Sequence, residues 1–340
     1  MNSSRVTSAD VARRAGVSQS AVSRVFTPGA SASPETVEKV RKAARELGYR
    51  PNVLARAMVS GRSRIIGLVV AYLENYFYPE ALEKFSNALQ AKGYHVLVFM
   101  ASQTAGNIDH VVDEILDYQV DGIIAASVAL SSDLAQRCAT AGVPIVLFNR
   151  TQEGHAFSAV TSDNFGGGWK VAEFLAAGGH ARIGYIAGWE GASTQRDREA
   201  GFRAGLAAAG RTLAAREVGN FVMEDARTAA RRMFSGPERP DAVFVCNDHM
   251  AFAVMDVIRH ELGLRVPEDV SVVGYDDVPP AAWRAYDLTT VRQRANLMVE
   301  RTVDLLLAQI DDPDTVPREE AIDSPLILRS SARIPEGWPR

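Results

Sequence analysis

Cysteine is nearly absent. Cys138 and Cys246 are the only two in 340 residues, too few for a disulfide framework, and neither has the close Cys/His spacing of a zinc site. Both are expected as small core residues. Long apolar runs are missing too: no stretch of ~18 apolar residues occurs, so no transmembrane helix is predicted. The start "MNSSRVTSADVA" lacks the apolar run of a secretory leader, which points to a cytoplasmic protein. Catalytic signatures are equally scarce. "RHELG" has no second histidine for zinc, and neither G-x-S-x-G nor G-x-x-x-x-G-K-[ST] occurs. "DNFGGG" is glycine-rich without being a dinucleotide fingerprint, and its glycines are expected to let a helix pack close to a sheet. No enzyme activity, metal or cofactor is expected.

What the chain has is an uneven distribution of charge. Its formal net charge is −4, yet Met1 to Arg64 holds twelve Lys or Arg against four Asp or Glu. That end is strongly basic and the remainder strongly acidic. Such segregation suits a small module for a polyanion, attached to a larger body that does not bind one. Nucleic acid is the obvious polyanion.

The basic end reads as helices. In "TSADVARRAGVSQSAVSRVF", Thr7 and Asp10 form a capping-box pattern ahead of a helix whose apolar side is Val11, Ala12 and Ala15. Gly16 ends it, and Ser18 caps a second helix that carries Val22 and Val25 inward. A small residue, a tight turn and a core residue at Ala12, Gly16 and Val22 are what a helix-turn-helix requires. If the second helix enters a major groove, Gln19 and Ser20 in its first turn face the base edges and Arg24 follows one turn later, with the cap Ser18 as a further DNA contact. Gln reads adenine, while Arg reads guanine or holds a phosphate. Thr7, Arg13 and Arg5 are candidates for backbone phosphates. "SASPETVEKVRKAARELGY" supplies a third helix, capped by Ser33, with Pro34 at its first position and Val37, Val40, Ala44 and Leu47 as the buried stripe.

"RPNVLARAMVSGRS" follows, where Asn52 can cap about two turns of helix that Gly61 stops. So short a helix is marginal alone in water. Two readings are open: a plain linker, or a hinge that folds on DNA and lays Leu54 or Met58 into a minor groove as an apolar wedge.

Beyond Ile65, apolar runs suited to buried strands alternate with helical patterns: "IIGLVVA", "YHVLVFM", "DGIIAAS", "PIVLFN", "RIGYIAG", "DAVFVCN" and "VSVVGYD". This predicts α/β structure, with parallel strands covered on both faces by helices such as 79–92, 165–177 and 248–262. About 275 residues are better housed by two sheets in two lobes than by one. Ligands of such sheets bind beyond the carboxyl ends of the strands. The polar residues at those ends are Asn149, Asp163, Asn247 and Asp276, the last followed by Asp277. Asp163 and Asn247 have a second reading as helix caps. The neighbouring aromatics Tyr76, Phe77 and Tyr78 either stack on a ligand ring or belong to the core.

"VTSADVARRAGVSQSAVSRVF", "SPETVEKVRKAARELGYRPNVLARAM" and "GRSRIIGLVV" resemble the start of the LacI/GalR family of bacterial transcription regulators. The likeness continues through "VTSDNFGGG", "AGFRAGL", "NDHMAFAVMDVI", "VPEDVSVVGYDD" and "LTTVRQ", in the family's order. It implies a helix-turn-helix DNA-binding domain over residues 1–50, a hinge over 51–61, and a periplasmic-binding-protein-like body of parallel sheets over 62–340. The chain would cross between lobes near Thr161, Gln293 and Ile322, giving one lobe of about 62–161 with 293–322 and another of about 162–292 with 323–340. Met58 takes the wedge position where the family more commonly has leucine, and Gln19 and Ser20 fall on its operator-discriminating pair. Thr194, Arg198 and Phe221 join Asn149, Asn247, Asp276 and Tyr76 as candidate effector contacts.

Two departures concern the ligand. "VVAYLENYFY" lacks the family's usual acidic residue after the strand and its proline after Asn75, and Ala295 stands where an aromatic often enters the pocket, which hints at a larger effector. Three function classes compete: a ligand-controlled DNA-binding regulator, an exported sugar-binding protein and a sugar-modifying enzyme. The basic N-terminal module favours the regulator, a repressor that binds a pseudopalindromic double-stranded operator and answers to a carbohydrate-like effector. Some members form tetramers through a leucine-heptad tail; "IPEGWPR" cannot form one, so a homodimer is expected.

Overall fold

The computed structural model describes residues 6–27, 30–50, 62–101, 108–128, 132–152 and 157–339. The chain divides into two compact units, Met1–Arg64 and Ile65–Arg340. Arg5, Asn52, Leu54 and Met58 lie outside the described residues.

The first unit contains α1 (Ser8–Ala15), α2 (Gln19–Phe26) and α3 (Pro34–Leu47). Helix α1 starts at a complete capping box: the Asp10 amide donates to the Thr7 hydroxyl, and the Thr7 amide and hydroxyl donate to the Asp10 carboxylate. It stops at Gly16, whose φ of 68° is the left-handed conformation that glycine adopts without cost. Ser18 and Ser33 cap α2 and α3 through their hydroxyls. Val11, Ala12, Val22, Val40, Ala43 and Ala44 form the core. The stripe on α3 therefore runs through Val40, Ala43, Ala44 and Leu47. Val37, expected in it, is half-buried one turn before the stripe and outside the cluster.

The second unit alternates strand and helix. Its first part runs β1 (Ile65–Val70), α4 (Phe77–Ala91), β2 (His95–Met100), α5 (Ile108–Asp117), β3 (Gly122–Ala126), α6 (Ser132–Thr140), β4 (Ile145–Phe148) and β5 (Ser158–Ser162). Its second part runs α7 (Asn164–Ala177), β6 (Ile183–Ala187), α8 (Ser193–Ala208), β7 (Ala215–Val218), α9 (Met223–Phe234), β8 (Ala242–Val245), α10 (Asp248–Asp256), β9 (Ser271–Asp276) and β10 (Thr289–Arg292). Helix α11 (Ala295–Asp311), β11 (Glu319–Ile322) and β12 (Leu326–Ile327) complete it.

Among the described residues the strands form two six-stranded sheets, ordered β11-β5-β4-β3-β1-β2 and β12-β10-β9-β8-β6-β7. All neighbours are parallel except β12, which runs antiparallel to β10. The apolar strands β3, β4, β6, β8 and β9 are buried along their whole length, as coverage on both faces requires. Strand β2 departs from that expectation: it is an edge strand with Val98 and Met100 exposed. The chain passes between sheets three times, after β5, after β10 and between β11 and β12.

Two helices differ from their predicted extents. Helix α4 begins at Phe77, two residues before Pro79, because proline is tolerated in a first turn where its missing N–H has no partner to lose. The segment predicted as one helix over 248–262 is α-helical only to Asp256 and then widens into a π-turn, Val257–Glu261, closed by the Leu262 amide on the Val257 carbonyl at 3.0 Å. The glycine-rich start of α7 does pack closely, against α8 as well as the sheet. A Cβ at Gly168 would meet the Arg198 carbonyl oxygen at 2.2 Å, and one at Gly167 would meet the Tyr275 ring.

Candidate functional site

In the first unit, α2 presents Gln19, Ser20 and Arg24 to solvent. Gln19 Nε2 donates to Ser8 Oγ at 2.9 Å, which holds the side chain toward α1, and the Ser18 and Ser20 hydroxyls share a bond of 2.9 Å. Thr7 is exposed, but its hydroxyl already donates to Asp10 at 2.7 Å, so a phosphate contact there must exchange that bond. Arg13 is exposed beside Asp10 at 3.2 Å, and Arg14 reaches Glu46 at 2.7 Å. Exposed pairs of this kind contribute little to stability, so both guanidinium groups exchange partners at small cost.

The second unit has its polar centre where the carboxyl ends of the strands face one another. Asp276 ends β9 with φ 124°, a conformation that non-glycine residues rarely adopt and that is characteristic of functional sites. Its Oδ1 accepts from Gln293 Nε2 at 2.7 Å, and its Oδ2 accepts from Asn75 Nδ2 at 3.2 Å. Arg198, on the second turn of α8, lies 3.7 Å from the same carboxylate. Its Nε donates to Asn164 Oδ1 at 2.9 Å and its Nη1 to the Cys246 carbonyl at 2.7 Å. The guanidinium plane rests on the Tyr275 ring at 3.6 Å. Burial alone would lower the Arg198 pKa; Asp276 and Tyr275 more than reverse this and raise it above its ordinary value. Burial likewise lifts the Asp276 carboxyl, opposed by Arg198, Gln293 and Asn75.

Six of the seven residues expected at an effector line this one cleft: Asn149, Thr194, Arg198, Phe221, Asn247 and Asp276. Tyr76 does not. It precedes α4 and is 47 % exposed, because the turn that carries Asn75, Phe77 and Tyr78 inward leaves Tyr76 pointing outward. Phe77 is a core residue stacked on Phe148 at 5.9 Å. Tyr78 lines the cleft, its hydroxyl bonded to Ser127 and accepting from Asn149 Nδ2 at 3.1 Å. Asp163 caps α7 through the Gly166 amide at 2.8 Å and stays out of the cleft, whereas Asn247 both caps α10 and lines it. Tyr72, Asn75 and Arg150 complete the lining and were not anticipated. The signal for Arg150 was present: a charged residue directly follows the polar one that ends β4.

The free space among these side chains is about 10 Å³, room for about one water. The side chains that line the cleft therefore nearly fill it. Asp276 is shared with an adjoining chamber of about 440 Å³, bounded by Phe77 and Glu80 of α4 and by residues 292–297. Ala295, where a larger side chain would intrude, is part of its wall. Asp277 is fixed beneath it by Arg292 and Arg329, each at 2.6 Å.

Residues 7–52 match the family described as bacterial regulatory proteins, lacI family, and residues 172–332 match the periplasmic binding protein-like domain. The regulator CelR of Thermobifida fusca is 34% identical over 334 residues, covering 94% of this chain and 96% of the relative. The repressor PurR of Vibrio vulnificus is 29% identical over 327 residues, covering 95% and 98%. Among solved structures, a CelR–cellobiose complex is 32% identical with a TM-score of 0.73, covering 96% of this chain and all of that one. A lac repressor dimer bound to operator and an anti-inducer is 29% identical with a TM-score of 0.87, covering 96% and 99%. In motif, fold and full-length likeness, this chain belongs to the lacI family of bacterial regulatory proteins.

Proposed function

We propose that the protein is a repressor that binds a pseudopalindromic operator as a homodimer through residues 1–50, and is controlled by a polyhydroxylated effector in the cleft of residues 62–340. In this reading residues 51–61 form the hinge, with Asn52 as its cap and Leu54 and Met58 as wedge residues. The lobes comprise about 62–161 with 293–322, and about 162–292 with 323–340. The observation that carries the reading is the convergence of Asn149, Thr194, Arg198, Asn247 and Asp276 on one cleft at the strand ends of two sheets. Carboxylate, guanidinium and amides in one pocket pair with vicinal hydroxyls and reject ligands that lack them. Related proteins support a sugar: one solved relative is a complex with cellobiose, and another relative is the ribose operon repressor of Escherichia coli. Ser18, Gln19, Ser20 and Arg24 would read bases, with Thr7 and Arg13 on phosphates. The protein would act without enzymatic activity or cofactor, in the cytoplasm.

The test begins with selection of an operator from random duplexes by the full-length chain. Fluorescence anisotropy against that operator is then repeated with a panel of sugars, polyols and sugar acids. The reading requires a salt-sensitive complex whose affinity changes with at least one member of the panel, and light scattering at the mass of two chains. Binding indifferent to every compound that stabilises the protein would refute effector control.

A further inference from the structure

The charges of the cleft do not balance, and Arg150 is the reason. On the wall formed by α8 and β9, Arg198 and Asp276 answer each other, and the guanidinium's hydrogen bonds and ring contact go to Asn164, Cys246 and Tyr275. On the opposite wall Arg150 follows β4, is 4 % exposed, and has Nε and Nη1 buried without a hydrogen-bond partner. Among the described residues no carboxylate forms an ion pair with it. Its aromatic neighbour is Trp189, at 5.4 Å from the guanidinium carbon. Beside it Asn149 Oδ1 is also buried and unpartnered, while the Nδ2 of that amide is held by Tyr78. The residue before Arg150 is thus a neutral amide, not an acid. Burial pushes the Arg150 pKa down; Tyr78 and Tyr72 oppose that push and the like charge of Arg196 adds to it.

A desolvated cation with two open donors is costly to keep unless something else completes it. Sugar hydroxyls could accept from Arg150 but would leave its charge buried and uncompensated. An ionised acceptor forms bonds about twice as strong and removes the imbalance. We infer that the effector carries an anionic group, a carboxylate or a phosphate, on a polyhydroxylated frame, that Arg150 receives that group, and that Asn149 Oδ1 accepts from a hydroxyl beside it. The inference rests on the cleft being the effector site, and Arg150 then sets the charge class of the ligand.

The experiment uses the full-length protein, thermal unfolding, and ligands in matched pairs at equal concentration. D-Glucuronate is set against D-glucose, D-galacturonate against D-galactose, D-gluconate against D-glucitol, and glucose 6-phosphate against glucose. Acetate and inorganic phosphate serve as ionic controls. At least one acid or phosphate ester raises the melting temperature where its neutral twin and the simple anions do not, and the member that acts tells carboxylate from phosphate. Arg150→Gln weakens that ligand by about tenfold or more, and Arg150→Lys recovers part of the loss. Arg150→Gln without ligand melts no lower than the parent, since it removes an uncompensated charge.

Equal response to a neutral twin, an acid response that survives Arg150→Gln, or a panel in which no anionic member acts overturns the inference. Neutral sugars that act on the parent and fail on Asn247→Ala would overturn the anionic class while leaving the cleft as the effector site. A ligand whose effect is unchanged in both Asn247→Ala and Arg150→Gln would overturn the cleft itself.

Discussion

Asn75 Nδ2 donates to Asp276 Oδ2 at 3.2 Å, joining the loop after β1 to the end of β9 across the cleft. The same amide holds the first turn of α4 through its Oδ1, which accepts from the Phe77 amide at 3.0 Å. One side chain thus bonds the first amide of α4 and latches the carboxylate at the end of β9. A bond to a charged group is worth about 1.5–3 kcal/mol. With the space inside nearly filled, part of that energy opposes ligand entry. Asn75→Ala is therefore expected to open the lobes more readily and to tighten the apparent effector affinity, by roughly fivefold to a hundredfold. Titration calorimetry checks this, and small-angle scattering of the unliganded variant should show a larger radius of gyration.

Arg24 is exposed on α2, one turn after Ser20, and its side chain forms no hydrogen bond or ion pair among the described residues. Arg24→Ala should weaken operator binding by about 1–3 kcal/mol if the side chain reads a base, with relaxed preference at a single position. If it holds a phosphate, the loss is uniform across sequences and the salt dependence becomes shallower by about one unit of slope. Anisotropy titrations at several salt concentrations, on the chosen operator and on single-base variants, separate the two outcomes.

Gly201 lies on α8 where it crosses α7. A Cβ there would stand 1.9 Å from the Phe165 carbonyl oxygen, a backbone atom that cannot swing aside. Gly201→Ala should cost about 1–3 kcal/mol or more, lowering the melting temperature even though alanine is the better helix former. Gly236, beyond the end of α9 with open space around its Cβ position, provides a control without a clash.

Both cysteine thiols are buried. Burial raises the Cys138 thiol to about 11 and that of Cys246 above its ordinary value, and Arg198 only partly offsets the second shift. Thiolate is the reactive form, so at pH 8 roughly a thousandth of Cys138 is available to a disulfide reagent. Native protein should release no thionitrobenzoate over minutes at that pH and two equivalents on unfolding. Reactivity should rise only as pH approaches the shifted value.

The strand ends were legible because an apolar run that stops at an amide or carboxylate is a chemical boundary as well as a geometric one, which is how Asn149, Asn247 and Asp276 stand out. Arg198 and Thr194 needed the family likeness, since helical periodicity alone does not say which buried polar residue faces a cleft. Tyr76 was misread among three adjacent aromatics because the start of α4 sets which of them turns inward, and that start lies two residues before the proline that suggested it. Strands β7 and β11, with sequences "AREV" and "EEAI", carry little apolar signal of their own. They exist because a neighbouring strand offers them hydrogen bonds, information that lies elsewhere in the chain.

The three passages between the sheets run from β5 into α7, from β10 into α11 and from β11 into β12, with β5 beside β11 in one sheet and β10 beside β12 in the other. They are tied to one another: Ser162 Oγ donates to Gln293 Oε1 at 2.7 Å, the Arg292 amide donates to the Pro325 carbonyl at 2.8 Å, and Lys170 pairs with Asp323 at 2.5 Å. A single strap would let the halves swivel and slide, whereas three straps cross-tied in a row resist both and leave bending as the soft direction. Chemically unlike effectors would then all be converted into one mechanical variable, the bend angle. Pocket residues could diversify over evolutionary time without the output having to be reinvented.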